Sequence, residues 1–156
     1  MVSAPLPSMR SDSKARLRLW VRLLRATRLV ESETRERFKS QFDVTLPRFD
    51  VMAALYRKPD GMLMSEISRF LLVSNGNVTG IVDRLVQDGF IVRSQRNSDR
   101  RTSFVRLTAK GHAAFVDMAT AHERWINELL GGVKVRDAED LSAKLTSFRS
   151  DWEGDT

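Results

Sequence analysis

The 156-residue sequence contains no cysteine, two histidines and one tyrosine. The lack of cysteine excludes a disulfide scaffold, a zinc site with thiolate ligands and a thiol redox switch. His112 and His122 have no second histidine at metal-ligand spacing, so we interpret both as structural or surface residues. We therefore expect neither a metal nor a cofactor.

Sequence motifs for catalysis and for membrane insertion are also missing. There is no glycine-rich phosphate loop, no Ser-His-Asp order and no paired-carboxylate motif, so we expect a protein that is not an enzyme. No apolar run approaches the ~20 residues that span a bilayer. Residues 1–13 are rich in serine and proline and are interpreted as a disordered tail instead of a signal peptide. These features predict a cytoplasmic protein with no membrane partner.

The formal net charge is +6, which favours a polyanionic partner. The excess is concentrated between Ile91 and Gly111, where Asp99 is the single acidic residue. The six basic residues of this stretch are Arg93, Arg96, Arg100, Arg101, Arg106 and Lys110.

Residues 74–89 predict a short amphipathic helix. Its apolar residues recur at helical spacing and are Val78, Ile81, Val82 and Leu85. Ser74 suits the N-cap and Gly89 suits the position that ends a helix. The opposite face is small and polar and comprises Asn75, Asn77, Thr79, Gly80 and Arg84. Such a face can enter a major groove, where amides and hydroxyls bond to base edges.

Two short segments after this helix are rich in β-branched and aromatic residues, at 90–92 and 104–107. Residues 97–101 favour a turn, so we predict a hairpin with a basic tip. A recognition helix followed by such a hairpin is typical of a winged helix-turn-helix, whose wing arginines suit phosphates and a narrow minor groove. The alternative is a small α/β domain with a solvated basic rim, but solvated surfaces usually mix both charge signs.

The remaining sequence predicts helices on both sides of this unit. Thr45 is a candidate cap with Pro47 in the first turn, residues 58–61 favour a turn, and Ser65 is a candidate cap of a short helix. Thr108 is expected to cap a long helix that ends at the two glycines 131 and 132. A last helix carries a single apolar stripe, which consists of Leu141, Leu145, Phe148 and Trp152.

The first predicted helix, from Lys14 to about Phe38, has an apolar face that is broader than a surface helix needs. We expect this helix and the two final helices to form a two-fold dimer interface. Opposite part of the apolar face lies a basic strip of Lys14, Arg18, Arg22 and Arg25. This strip is interpreted either as a solvated surface or as a binding strip for a ligand phosphate or DNA backbone.

From Leu17 to Trp152 the chain resembles the MarR family of bacterial transcription regulators. The resemblance is carried by residues 99–101 (Asp-Arg-Arg), by Val105-x-Leu107-Thr108 and by Gly111. It implies a mainly α fold with a small β-hairpin wing, in which 14–156 form one protomer. Within it, 46–110 would be the winged helix-turn-helix, and 14–44 and 109–152 the helical dimerisation region.

The resemblance also implies roles for single residues and a homodimer on a palindromic, double-stranded operator. Arg100 would reach the minor groove, while Asp99 and Arg101 would pair and stiffen the wing. Many members have arginine where this chain has Gly80. Base reading is therefore expected to shift to Asn75, Asn77, Thr79 and Arg84, and Ser74 is a further predicted DNA-binding residue.

Members of the family usually bind a small aromatic effector between the dimerisation helices and the winged helix. Residues 19–24 and 45–50 resemble the branch that represses hydroxycinnamate catabolism and responds to aryl-CoA thioesters. The predicted ligand-binding residues are Trp20, Arg22, Leu24, Arg25, Phe49, Met52, Tyr56, Phe115 and Met118. Packing in the core would also explain the apolar and aromatic residues of this set. Lys14 and Arg18 would bind the ligand phosphates. The alternatives are a regulator of another aromatic or lipophilic effector and a constitutive DNA-binding protein without an effector.

Overall fold

The computed structural model describes residues 11–71, 75–95 and 103–153. The chain forms α1 (Ser11–Phe42), α2 (Leu46–Tyr56), β1 (Met62–Leu63), α3 (Met64–Leu71), α4 (Asn75–Gln87), β2 (Ile91–Gln95), β3 (Ser103–Leu107), α5 (Ala109–Leu129) and α6 (Val135–Glu153). The predicted fold class, mainly helical with a small hairpin, is confirmed. The first helix is longer at both ends than its predicted span.

The described residues form a sheet of three antiparallel strands in the order β1-β3-β2. The predicted hairpin is the β2–β3 pair, in which Ile91 lies opposite Leu107 and Ser94 opposite Phe104. Strand β1 was not predicted, because two residues are too few to form an alternating pattern. It pairs Met62 with Val105 and so fixes the base of the hairpin to the helix-turn-helix formed by α3 and α4.

The centre of the core is an aromatic cluster that joins α1, α2 and α5. The ring centroid of Phe38 lies 4.5 Å from that of Phe49 and 5.0 Å from that of Trp125. Phe49 in turn stacks on Phe115 at 5.5 Å. Aromatic pairs at these separations contribute beyond the area they bury. The cluster therefore anchors the last third of α1 to the winged helix.

Two of the predicted helix ends are confirmed. Gly89 adopts φ +76, and the N–H groups of Gly89 and Phe90 donate to the carbonyls of Val86 and Leu85, which is a Schellman motif. At the start of α5 the Thr108 hydroxyl accepts a hydrogen bond from the Gly111 N–H at 2.9 Å.

The Ser65 cap is wrong, because α3 already begins at Met64. The Leu63 N–H instead donates to the Glu66 carboxylate at 2.8 Å, so an acidic residue in the first turn replaces the expected hydroxyl. Thr45 does occupy the N-cap position of α2, but its hydroxyl makes no capping hydrogen bond.

The outer helices contrast with this core. Every described side chain between positions 131 and 148 is exposed, including the apolar Val135, Leu141 and Leu145. In the first part of α1, Leu19 and Trp20 are likewise more than half exposed. Among the described residues, no helix has both the length and the apolar character needed to cross a membrane.

Candidate nucleic-acid interface

Helix α4 buries one face and exposes the other, as its sequence pattern predicts. Val78, Val82 and Leu85 are fully buried beneath it. The exposed face carries Asn77, Thr79, Gly80, Asp83 and Arg84. Because this face bears small polar groups on a helix supported by the core, it has the shape and chemistry of a major-groove reader.

The structure describes the remaining predicted recognition residues to different extents. Ser74 lies outside the described residues, and Asn75 is described as the first residue of α4 without its side chain. Arg84 is exposed and forms an ion pair with Asp88, with Nε and Oδ1 3.3 Å apart. An exposed pair of this kind contributes at most ~1 kcal/mol. The guanidinium can therefore exchange Asp88 for another acceptor at small cost.

Some of the basic residues at the base of the wing form contacts within the folded protomer. Arg93 on β2 donates from Nη1 to the Asp83 carboxylate of α4 at 3.2 Å. Lys110 donates to the backbone carbonyl of Asp88 at 2.8 Å, and its Nζ lies 5.2 Å from the ring centroid of Phe90. Two of the six basic residues in this stretch thus tie the hairpin and α5 to α4.

The wing tip itself, with Asp99, Arg100 and Arg101, lies outside the described residues. Its roles in DNA binding stay predictions. The described part of the site is therefore the exposed face of α4 and the paired strands that lead towards the tip.

Comparison with known proteins identifies the family. A sequence model of the MarR family matches residues 44–103. The crystal structure of a MarR family transcriptional regulator from Silicibacter pomeroyi shares 33% sequence identity, covers 92% of this chain and 99% of its own, and has a TM-score of 0.77. This chain belongs to the MarR family. It is a DNA-binding transcription regulator with the winged-helix fold.

Two further similarities add context to this MarR family member. The transcriptional activatory protein BadR of Rhodopseudomonas palustris is 29% identical over 132 residues, which is 81% of this chain and 75% of BadR. A crystal structure of Escherichia coli MarR, in a cysteine-to-serine mutant complexed with operator DNA, has a TM-score of 0.72. The match covers 83% of this chain and 92% of the E. coli chain, and the sequence identity of 22% supports only the fold.

The predicted effector residues of this MarR protein fall into two groups. Four of them, Phe49, Met52, Phe115 and Met118, belong to the buried core. The others lie nearer the surface: Lys14, Arg18, Trp20, Arg22, Arg25 and Tyr56 are exposed, and Leu24 is half-buried. None of the described α1 residues before position 34 has a buried side chain.

Tyr56 marks a cavity of about 300 Å³ between α2, the end of β3 and the start of α5. Its ring centroid lies 4.9 Å from that of His112 and 4.7 Å from that of Phe115. The lining residues are Leu55, Tyr56, Pro59, Leu107, Thr108, Ala109 and His112. No sequence pattern connects His112 with Tyr56, because they lie 56 positions apart on different helices.

Among the described residues of the MarR protomer, two titratable groups have shifted pKa values. Burial raises the pKa of the Asp50 carboxyl, and the nearby Glu31 carboxylate raises it further. Burial lowers the pKa of His122, whose ring centroid lies 5.6 Å from that of Phe38 and 5.0 Å from that of Phe49. The aromatic cluster thus favours a neutral imidazole.

Proposed function

We propose that this protein is a homodimeric repressor that binds a palindromic operator and is released by an aromatic effector. The observation that carries the DNA-binding part is the exposed polar face of α4 above its buried apolar face, next to the β2–β3 hairpin. E. coli MarR, which has a similar fold, forms a complex with operator DNA, and this supports the DNA-binding part of the proposal.

The homodimer is supported by the apolar side chains of α1 and α6. Leu141 and Leu145 are about half exposed and lie four residues apart on one helix face. A two-fold partner that covers such surfaces would place two α4 helices about one DNA turn apart, which requires a palindromic site.

The operator can be obtained by selecting random duplexes with the wild-type protein. We expect Arg100→Ala to weaken operator binding by about tenfold or more while the dimer is retained. Fluorescence anisotropy measures the affinity and sedimentation measures the oligomer, with Arg124→Ala on α5 as the matched control. Wild-type affinity in Arg100→Ala would remove the wing from the mechanism.

For the effector we propose an aryl-CoA thioester such as p-coumaroyl-CoA. The support is the resemblance of residues 19–24 and 45–50, together with the aromatic cavity at Tyr56 and the exposed cations of α1. In this proposal the aryl group contacts Tyr56, and the basic strip of Lys14, Arg18, Arg22 and Arg25 binds the phosphates of the CoA moiety. Binding would favour a dimer whose α4 helices no longer match successive grooves, or the bound phosphates would repel DNA.

Isothermal titration with p-coumaroyl-CoA, free p-coumarate and CoA tests the effector. We expect the thioester to bind most tightly and to abolish the operator complex. Arg22→Gln should weaken binding of the thioester more than binding of the free acid, whereas Arg124→Gln should affect neither. If the thioester gives no heat while the operator still binds, the effector is of another class.

A second candidate is a transcriptional activator, because the named relative BadR is one. A promoter reporter in cells with and without the gene separates the two. Higher expression without the protein supports repression, and lower expression supports activation.

A further inference from the structure

A crevice of about 520 Å³ lies between the end of α1, the start of α2 and the middle of α4. Its lining residues are Arg35, Lys39, Val44, Thr45, Leu46, Pro47, Arg48, Asn77, Gly80 and Ile81. Three of these are cationic and, among the residues that the structure describes, none is acidic. The crevice is separate from the cavity at Tyr56, with which it shares no lining residue.

The positive charge of this crevice is only partly compensated. Arg35 donates to the Glu31 carboxylate at 2.6 Å. Neither Lys39 nor Arg48 forms an ion pair with an acidic residue in the described ranges 11–71, 75–95 and 103–153. Lys39 is exposed and Arg48 is partly exposed, so both can meet a polyanion without unfolding any element.

The other wall of the crevice is the recognition helix itself, through Asn77 and Gly80. A Cβ atom added at Gly80 would meet nothing within 4 Å, so no described neighbour requires a glycine there. A glycine in the middle of a helix makes the helix less stable than an alanine at the same position would. Packing inside the protomer therefore does not account for Gly80, which leaves open space on this side of the crevice.

We propose that Lys39 and Arg48, assisted by Arg35, form a third DNA-binding element that holds backbone phosphates beside the bases that α4 reads. The inference rests on the proposed function. Because Asn77 and Gly80 are shared between the exposed face of α4 and the crevice, a duplex that lies on α4 passes next to these cations. Hydrogen bonds to phosphates fix the position of the duplex and carry no sequence information directly.

The test measures affinity for the selected operator and for a scrambled duplex between 50 and 200 mM salt. Lys39→Gln and Arg48→Gln each remove one positive charge per subunit. We expect each variant to bind both duplexes more weakly, on the order of tenfold, and to reduce the slope of log affinity against log salt by about 0.9 for every phosphate that is no longer neutralised. Lys39→Arg and Arg48→Lys keep the charge and should keep the slope.

Arg57→Gln is the matched control, because it removes the same charge at the other end of α2, about 14 Å along the helix from Arg48. It should leave affinity and slope unchanged. Melting curves of all variants show whether weaker DNA binding comes from unfolding. If a Gln variant is unfolded, the comparison of Lys39→Arg and Arg48→Lys with the wild type tests the proposal.

The outcomes separate the two proposals. If the wild-type protein binds no duplex, the proposed function fails. If it binds and the two Gln variants match it in affinity and slope, the third DNA-binding element is overturned. It is also overturned if these variants bind DNA normally but no longer respond to the effector, since the crevice would then be a ligand site.

Discussion

Apolar side chains are mostly buried in the winged-helix part of the chain but mostly exposed on the helices at its two ends. Val78, Val82 and Leu85 on α4 are completely buried within one protomer, whereas Leu141 and Leu145 on α6 are about half exposed. Both helices have the same period and similar residues, so the difference lies in what covers them. The winged helix completes its own core, but no described residue covers the apolar stripes of α1 and α6, which the proposed dimer would bury.

The largest effect is expected from placing charge on α6. The double variant Leu141→Asp/Leu145→Asp should abolish the dimer, because an interface that buries these stripes would bury unpaired carboxylates. Sedimentation should show a monomer whose circular dichroism is still helical, and operator binding should be lost. Ala143→Asp places one such carboxylate on the opposite face of the helix and should remain dimeric. A dimeric double variant would show that this stripe is not the interface.

The next effect separates core from surface among aromatic residues. Phe38 is fully buried against Phe49 and Trp125, whereas Trp20 is 58% exposed. Phe38→Ala should lower the free energy of unfolding by about 3–5 kcal/mol, because it leaves a cavity in the aromatic cluster. Trp20→Ala should change protomer stability little and act on dimerisation or effector binding. Denaturant titration at one protein concentration measures both, and similar losses in the two variants would contradict the division.

The same division explains what the sequence could predict. Patterns that depend on neighbours along the chain were sufficient for α4, for the Schellman turn at Gly89 and for the Thr108 cap. Strand β1 could not be predicted, since its two residues are ordered by pairing with Val105, a partner 43 positions away from Met62. The Ser65 cap failed because Glu66, one residue later, supplies the acceptor to Leu63.

The candidate site was predictable to a similar degree. The exposed face of α4 follows from helical spacing alone, but the use of Arg93 and Lys110 as ties to α4 depends on three-dimensional contacts. The effector residues were harder still, because core and pocket lining require the same apolar types. The structure places Phe49 and Met52 in the core and leaves Tyr56 beside a cavity.

Two glycines offer a sharper contrast between the interior and the surface that is proposed to face DNA. A Cβ at Gly111 would overlap the carbonyl oxygen of Phe90, which is held by a hydrogen bond from the Thr108 N–H at 2.9 Å. Gly111→Ala should therefore destabilise the fold by about 1–3 kcal/mol. Gly80→Ala should stabilise it by about 0.5–1 kcal/mol, because the helix gains a better helix former in open space.

Thermal melts of the two alanine variants measure these opposite changes in stability. If Gly80 is present for close approach of DNA, Gly80→Ala should also bind the operator more weakly despite its higher melting temperature. Unchanged or tighter operator binding by a stabilised Gly80→Ala would mean that the glycine has no role at the DNA interface. A Gly111→Ala variant as stable as the wild type would show that the chain relaxes at Phe90.

The smallest expected effect is a pH dependence that arises in the core. Burial lowers the pKa of His122 below its ordinary value of about 6.5. Between that value and the lower folded pKa, the unfolded chain holds more protons than the folded chain, so stability should fall as the pH decreases below about 6.5. His122→Phe removes this titration. Its melting temperature should therefore decrease less than that of the wild type between pH 7.5 and 5.5.

Asp50 also contributes to the pH dependence, because its pKa is shifted in the opposite direction. Its raised folded pKa contributes stability below the ordinary carboxyl range that is lost as the pH rises through the folded value. That contribution is present in both proteins and cancels in the difference between wild type and His122→Phe. Equal pH dependence in the two would mean that the imidazole takes up a proton as readily in the folded protein as in the unfolded chain, because aromatic ring faces attract a cation. The core beside α1 would then tolerate charge, and the contrast with the exposed helical ends would rest on apolar burial alone.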